Sequence, residues 1–251
     1  MGGTMLTLLV LAAALDGGAP PAAVVTPTPR RDAKLILADY ARAIGDEKAW
    51  EKHKSMRVKR EVVIKAMNFK TVEETRLVRT GKVLSVSSMP GMGLIRRGYD
   101  GRTAWGDDPI YGLRVLKGQE ADEVRLAATW NSEWHLGEVY ALLGAVAPPA
   151  GAPKDRALEC VELGKPHGGP TTTTCFDAHT HLRIWEKGVQ ASPGGDVPYV
   201  TRFSDWCVLD GVRVWRKEKL TVGPVTMEGH IVEIVFDEPA PAKLFKLPKK
   251  K

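Results

Sequence analysis

The 251-residue sequence lacks any uninterrupted apolar stretch of the roughly 18 or more residues needed for a helical membrane span. Mean hydropathy is −0.18, on the side of a water-facing chain. No GxSxG element, Walker A loop or GxGxxG fingerprint is present, which removes the common signatures of serine hydrolases, P-loop NTPases and dinucleotide-binding enzymes. Cysteine is scarce: Cys160, Cys175 and Cys207 are the only three, and none has the CxxC or Cys/His spacing of a zinc site. What the chain does have is ordinary for a globular protein, 43% hydrophobic and 26% charged residues, so wholesale disorder and collagen-like repeats are excluded. With 25 glycines and 17 prolines it is punctuated too often for a long helical protein.

Basic residues interleaved with aromatics, the mark of a nucleic-acid binder, are also missing. The net charge is +6, but Lys243, Lys246, Lys249, Lys250 and Lys251 account for five of those charges and leave a nearly neutral body. That basic end reads as a solvated tail, with transient contact to an anionic membrane surface as the alternative. At the other end, the apolar run from Met5 to Leu15 has the length of a signal-peptide core, and small residues at Ala19, Ala22 and Ala23 suit a peptidase. Met1 to Thr4 carry no Lys or Arg, a departure from the usual signal. The reading is a signal peptide and leader over 1–23, a linker over 24–31, one domain over 32–248 and a basic tail over 249–251. No cysteine precedes Cys160, so the exported protein is expected to be soluble, periplasmic or otherwise extracytoplasmic, and not lipid-anchored. Cys160 and Cys175 lie in neighbouring strand-like segments; they either form a bridge, as an oxidising compartment permits, or stay buried thiols.

Asp32 to Tyr40 reads as an amphipathic helix capped by Asp32, and a second short helix follows through Ala49–Lys52. From Ser55 the period changes: Met56, Val58, Val62 and Ile64 alternate with Arg57, Lys59, Glu61 and Lys65, as in a strand with one dry face. Further strands are expected at Thr71–Thr80, Lys82–Ser88, Ile95–Tyr99, Arg102–Trp105, Ala157–Leu163, Thr171–Phe176, His181–Val189, Phe203–Leu209, Val212–Leu220 and His230–Phe236. Asp100-Gly101 and Asp210-Gly211 are two-residue hairpin signals, because both central positions of such turns want positive φ. Gln119 to His135 reads as a helical insertion, with Leu126, Trp130 and Trp134 at i, i+4 and i+8. The sum is an α+β domain, mainly antiparallel β.

Asp177-Ala178-His179-Thr180-His181 invites a metal reading, because histidines two apart on a strand point to one face, as in metal-dependent amidohydrolases. Those enzymes need a barrel of about 250 residues, and only 70 residues follow His181. A hairpin tip, with Asp177 hydrogen-bonding its own backbone turn, is the preferred reading. A metal-dependent hydrolase using His179 and His181 is retained as an unfavoured alternative. No cofactor and no catalytic residue is assigned.

Thr174-Cys175-Phe176-Asp177-Ala178-His179-Thr180-His181-Leu182 is followed by Val197-Pro198-Tyr199, Phe203-Ser204-Asp205-Trp206, Leu209-Asp210-Gly211-Val212 and Ala242-Lys243-Leu244-Phe245-Lys246-Leu247-Pro248. In this order the segments resemble the outer-membrane lipoprotein-sorting, LolA/LolB-like superfamily. Upstream, Ile44-Gly45-Asp46-Glu47-Lys48-Ala49-Trp50 and Tyr99-Asp100-Gly101-Arg102-Thr103-Ala104-Trp105 are similar to the family's helix break and its aspartate-glycine hairpin. Trp215 stands where the family pattern has proline, and no motif specific to lipoprotein transfer is matched. The resemblance implies a curved, unclosed half-barrel with helices covering the concave face.

It also implies a non-catalytic carrier or sensor of lipid or lipoprotein acyl chains. Val58, Val62, Leu84, Val86, Trp105, Trp130 and Trp134 are the expected lining, chosen because they sit on apolar faces. The competing reading is a structural envelope protein that binds a protein partner and has a filled core.

Overall fold

The computed structural model describes residues 30–89, 91, 93–165, 168–190 and 196–249. The expected signal segment lies outside the described residues. Two helices open the fold, α1 (Ala33–Ala43) and α2 (Glu47–Glu51), capped by the side chains of Asp32 and Asp46 on the amides of Lys34 and Lys48. Six strands follow: β1 (Ser55–Ile64), β2 (Phe69–Val78), β3 (Lys82–Met89), β4 (Gly93–Tyr99), β5 (Ala104–Asp108) and β6 (Gly112–Val115). Helices α3 (Gly118–Ala127) and α4 (Leu136–Val139) lead to β7 (Ala141–Val146), β8 (Leu158–Gly164), β9 (Thr172–Asp177) and β10 (Arg183–Gln190). The last three strands are β11 (Val197–Leu209), β12 (Val212–Val222) and β13 (Val225–Phe236), before a short 3-10 turn at Ala242–Phe245.

All 13 strands form one antiparallel sheet in the order β6-β5-β4-β3-β2-β1-β13-β12-β11-β10-β9-β8-β7. Strands β6 and β7 are its two edges, so the sheet is not closed into a barrel. Each half is a meander of chain neighbours, and β1 pairing with β13 joins the halves. The pairing register fixes which side chains share a face. Val58 opposes Thr75, Thr75 opposes Ser85, and Leu77 opposes Val83. Leu77 and Val83 pack with Ala121, Val124 and Ala128 of the α3 segment. On the other half, Val161, Leu163 and Phe176 pack with Ile36, Leu37, Tyr40 and Ile44 of the α1 segment. Continuity of register through β9–β13 puts these on the same side as Val62, so α1 and α3 cover the two wings of one face.

Three local expectations change. The helical insertion is not continuous: α3 ends at Ala127, Asn131 takes φ 55, and α4 begins only at Leu136. Thr129, Trp130, Asn131 and Ser132 are weak helix formers, and Asn tolerates the left-handed region. The two Asp-Gly signals also diverge. Asp210 and Gly211 take φ 51 and 85, the two-residue turn expected. At Asp100 the carboxylate instead accepts from the amides of Arg102 and Thr103, so β5 starts at Ala104 instead of Arg102. Two edge strands, β6 and β7, had no alternation strong enough to mark them.

The face away from the helices is closed at two places. Trp105 is 1% exposed, and its Nε1 donates to the Phe245 carbonyl oxygen at 2.8 Å, holding the C-terminal turn against the sheet. Under β8–β10, the Cys160–Cys175 disulfide joins directly opposed strand residues and is buried with Ala152 and Trp185.

A Cβ at Gly98 would lie 2.4 Å from the Trp105 ring. Gly98→Ala is therefore expected to destabilise the fold by about 1–3 kcal/mol through overpacking, with a shifted midpoint in urea and altered tryptophan fluorescence. The disulfide closes a sequence separation of 15. Its removal in a Cys160→Ser/Cys175→Ser variant is expected to cost about 3 kcal/mol in the same assay, and the oxidised wild type should titrate a single thiol, that of Cys207.

Candidate functional site

Between the wings covered by α1 and α3, strands β1, β2, β12 and β13 carry a cavity of about 260 Å³. Its apolar wall is Met56 and Val58 from β1, Val214 and Trp215 from β12, and Ile231 and Ile234 from β13, with Trp50 of α2 at one side. Alternation in β1 supplies Met56 and Val58, and the β1–β13 register places Val58 opposite Ile234. Helix α2 is held there by packing of Trp50 with Val212 and Val214 and edge-on against Phe236. His53, just beyond the helix, is 2% exposed, stacks on Phe236 at 3.9 Å and bonds Asp237 through Nδ1 at 2.9 Å.

One side of the cavity is charged. Arg60 projects from the same face as Val58 and pairs with Glu73 at 2.5 Å and with Glu218. Glu73 also accepts from Ser85 at 2.9 Å. A cation clamped by two carboxylates adds no net positive charge, so this wall does not attract anionic headgroups.

A second polar cluster fills the space beside the cavity under α1. Arg183, with its side chain 8% exposed, donates to Glu133 at 2.7 Å and to Glu186 at 3.1 Å. Tyr40 donates to Glu133 at 2.5 Å and Tyr199 to Glu186 at 2.8 Å. The guanidinium carbon lies 4.1 Å from the Phe203 ring centroid and 5.1 Å from that of Trp215, so the cluster backs the cavity wall. Burial, then the charge of Glu133, pushes the Tyr40 hydroxyl well above its ordinary value. Burial and Glu186 do the same for Tyr199, and burial with Glu186 and Glu133 for Tyr140. The Arg183 guanidinium is held charged, its burial outweighed by Glu133, Tyr40 and Glu186.

The seven residues expected to line a cavity are dispersed. Val58 lines it. Val62 shares its face and is buried further along β1. Leu84 and Val86 point to the other side, because Ser85 is the β3 residue in phase with Thr75 and Val58. Trp105, opposite Gly98 and hence in phase with Leu84, also lies on that other side. Trp130 packs on the α3 cluster, and Trp134 lies between the α1 and α2 clusters with Nε1 donating to the Gly45 carbonyl oxygen at 3.3 Å. The residues not singled out, Met56, Trp215, Ile231 and Ile234, come together only through long-range pairing. Arg60 did carry a signal: it is a charge in phase with Val58 and Val62.

The His179–His181 segment is a hairpin turn. Asp177 accepts from the amides of His179 and Thr180, and His181 takes φ 58. Among the described residues no group of three or more His, Cys, Asp or Glu is placed to hold a metal ion. No helix of the described residues is long and apolar enough to cross a membrane.

No family model matches the chain, and no curated protein matches it in sequence. Among solved structures it is similar to a LolA superfamily protein from Nitrosomonas europaea, with TM-score 0.57 and 12% identity over 86% of this chain and 98% of that one. A DUF1329 family protein from Desulfovibrio piger aligns with TM-score 0.46 and 12% identity over 85% of this chain and 96% of that one. The chain thus has a LolA-like fold, as its sequence segments suggested.

The tyrosine shifts have a definite sign. A hydroxyl whose folded value lies above its unfolded value of about 10 contributes stability that is complete below pH 10 and lost as pH rises through the folded values. Three of the five tyrosines, Tyr40, Tyr140 and Tyr199, are therefore expected to ionise only together with alkaline unfolding. Absorbance at about 295 nm, followed alongside circular dichroism, checks this.

Proposed function

We propose that this protein is a non-catalytic, extracytoplasmic carrier or sensor that holds an acyl chain, free or attached to a lipoprotein, in the cavity between its two helix-covered wings. The observation that carries this reading is the apolar wall formed by Trp50, Met56, Val58, Val214, Trp215, Ile231 and Ile234 in an open sheet of LolA-like fold. Hydrocarbon needs a concave, water-poor lining and little else, so binding and release follow from apolar area without a reacting group. At about 260 Å³ the cavity is slightly smaller than the roughly 300–1,000 Å³ of most small-molecule sites. It suits part of one chain, entering from the side away from the Arg60–Glu73–Glu218 cluster. The buried Cys160–Cys175 bridge agrees with an oxidising compartment such as the periplasm. The competing reading, a partner-binding envelope protein, draws on the Arg183 cluster, which fills the neighbouring space with paired charge.

Native mass spectrometry of gently purified protein is expected to show bound lipid. A delipidated sample should take up a brominated fatty acid, with quenching of the fluorescence of Trp50 and Trp215. Val58→Phe, which fills the cavity, is expected to reduce uptake about tenfold or more, since it displaces several methylene contacts worth about 0.8 kcal/mol each. A folded wild-type protein that neither carries lipid nor takes up the brominated chain would sink the carrier reading and leave the partner-binding one.

A further inference from the structure

We propose that the face opposite the helices carries an oxyanion-binding site, at which a phosphate or carboxylate bridges Arg202 and Lys219. This site does not rest on the lipid reading, because it lies on the other side of the sheet. Here a groove of about 610 Å³ runs over β1, β13, β12 and β11, more than twice the size of the cavity on the helix-bearing face. One wall is the loop between β7 and β8, contributing Arg156 and anchored by Ala152 in the cluster around the disulfide.

Arg202 and Lys219 are direct cross-strand partners in the β11–β12 pair, and both are exposed. Like charges placed directly opposite one another in a sheet repel and destabilise it. The carboxylates around the groove bind other cations first. Glu228, directly opposite Lys219 in the β12–β13 pair, is held below its ordinary value by Lys65 and then also by the charge of Lys219, and Asp155 by Arg156 and then by Arg202. Asp155 is bound by Arg156 at 3.0 Å, Glu61 by Lys70 at 2.9 Å and Glu228 by Lys65 at 2.8 Å. Among the described residues neither Arg202 nor Lys219 makes a hydrogen bond or an ion pair. One alternation step along β12, Lys217 sits opposite His230 and pairs with Asp205 at 3.3 Å, so its charge is already compensated.

The arrangement is one that an oxyanion completes. The guanidinium fork takes two oxygens of one group, and the lysine ammonium supplies a second point charge to the same group. Val63 and Ile184 also line the groove and give the carbon part of such a ligand an apolar contact. Inorganic phosphate and an anionic lipid headgroup present the same oxygens, and they differ in the attached carbon.

The full chain is titrated with inorganic phosphate and, separately, with dihexanoyl phosphatidylglycerol below its micelle concentration. Sodium chloride at matched ionic strength and dihexanoyl phosphatidylcholine serve as controls. Phosphate is expected to raise the Tm and to move the backbone amide resonances of β11 and β12. Arg202→Gln and Lys219→Gln are each expected to weaken binding about tenfold, the loss of one charge-assisted contact, and the double variant to abolish it. Tighter binding of the phosphatidylglycerol than of phosphate assigns the site to a lipid headgroup, and equal or weaker binding assigns it to a small soluble anion. The proposal fails if chloride reproduces the phosphate effect or if the double variant still binds.

Discussion

Strand β1 and strand β13 stand at opposite ends of the domain's chain, yet the sheet exists as one object because they pair. Every other strand contact joins chain neighbours, whose pairing follows from short turns such as Asp210-Gly211. The β1–β13 ladder brings Met56 against Phe236 and Val58 against Ile234, and it shifts register between Lys59 and Arg60. Its end is sealed by short-range polar contacts. Asp237 accepts from the Lys54 amide at 2.6 Å and from His53, and Ser55 donates to the Glu238 carbonyl oxygen at 2.8 Å. Without this ladder the two meanders would each keep a helix on one wing, but the cavity walls would not meet.

The two faces of the sheet meet different physical demands. On the helix-bearing face, α1 and α3 bury the outer wings and leave the middle to α2, a helix of only five residues. A short cover over wide strands leaves space, and that space is the cavity. Beside it, Arg183 keeps Glu133 and Glu186 compensated in a buried setting, where a lone charge would be far more costly. On the opposite face the disulfide and the Trp105–Phe245 contact hold down the loop before β8 and the C-terminal turn. Between these fixed points the outer face of β11–β13 stays open to solvent, with the exposed cations of the groove on it.

Much of the secondary structure was legible because it depends on near neighbours. The Asp32 cap, the alternation from Met56 to Ile64 and the Asp177 turn each involve residues within a few positions of one another, and each is found where the sequence suggests. The insertion between Gln119 and His135 shows the limit of periodicity: Leu126, Trp130 and Trp134 have helical spacing, but Thr129 to Ser132 offer little propensity, and Asn131 turns the chain. Leu84 and Val86 show a second limit. They are an apolar alternation as clear as that of β1, but they face the side where the C-terminal turn packs on β3.

Local chemistry in the chain was sufficient to specify most of the strands, the Asp32 cap, the Asp177 and Asp210 turns and the ordered segments of a LolA-like fold. Period-two alternation states which residues of one strand point the same way. It carries no information on which side of a shared sheet a helix will cover, since that depends on the register of strands far apart in the chain. Trp215, Ile231 and Ile234 became a cavity wall with Met56 and Val58 only when the β1–β13 pairing set the phases of the two meanders relative to each other.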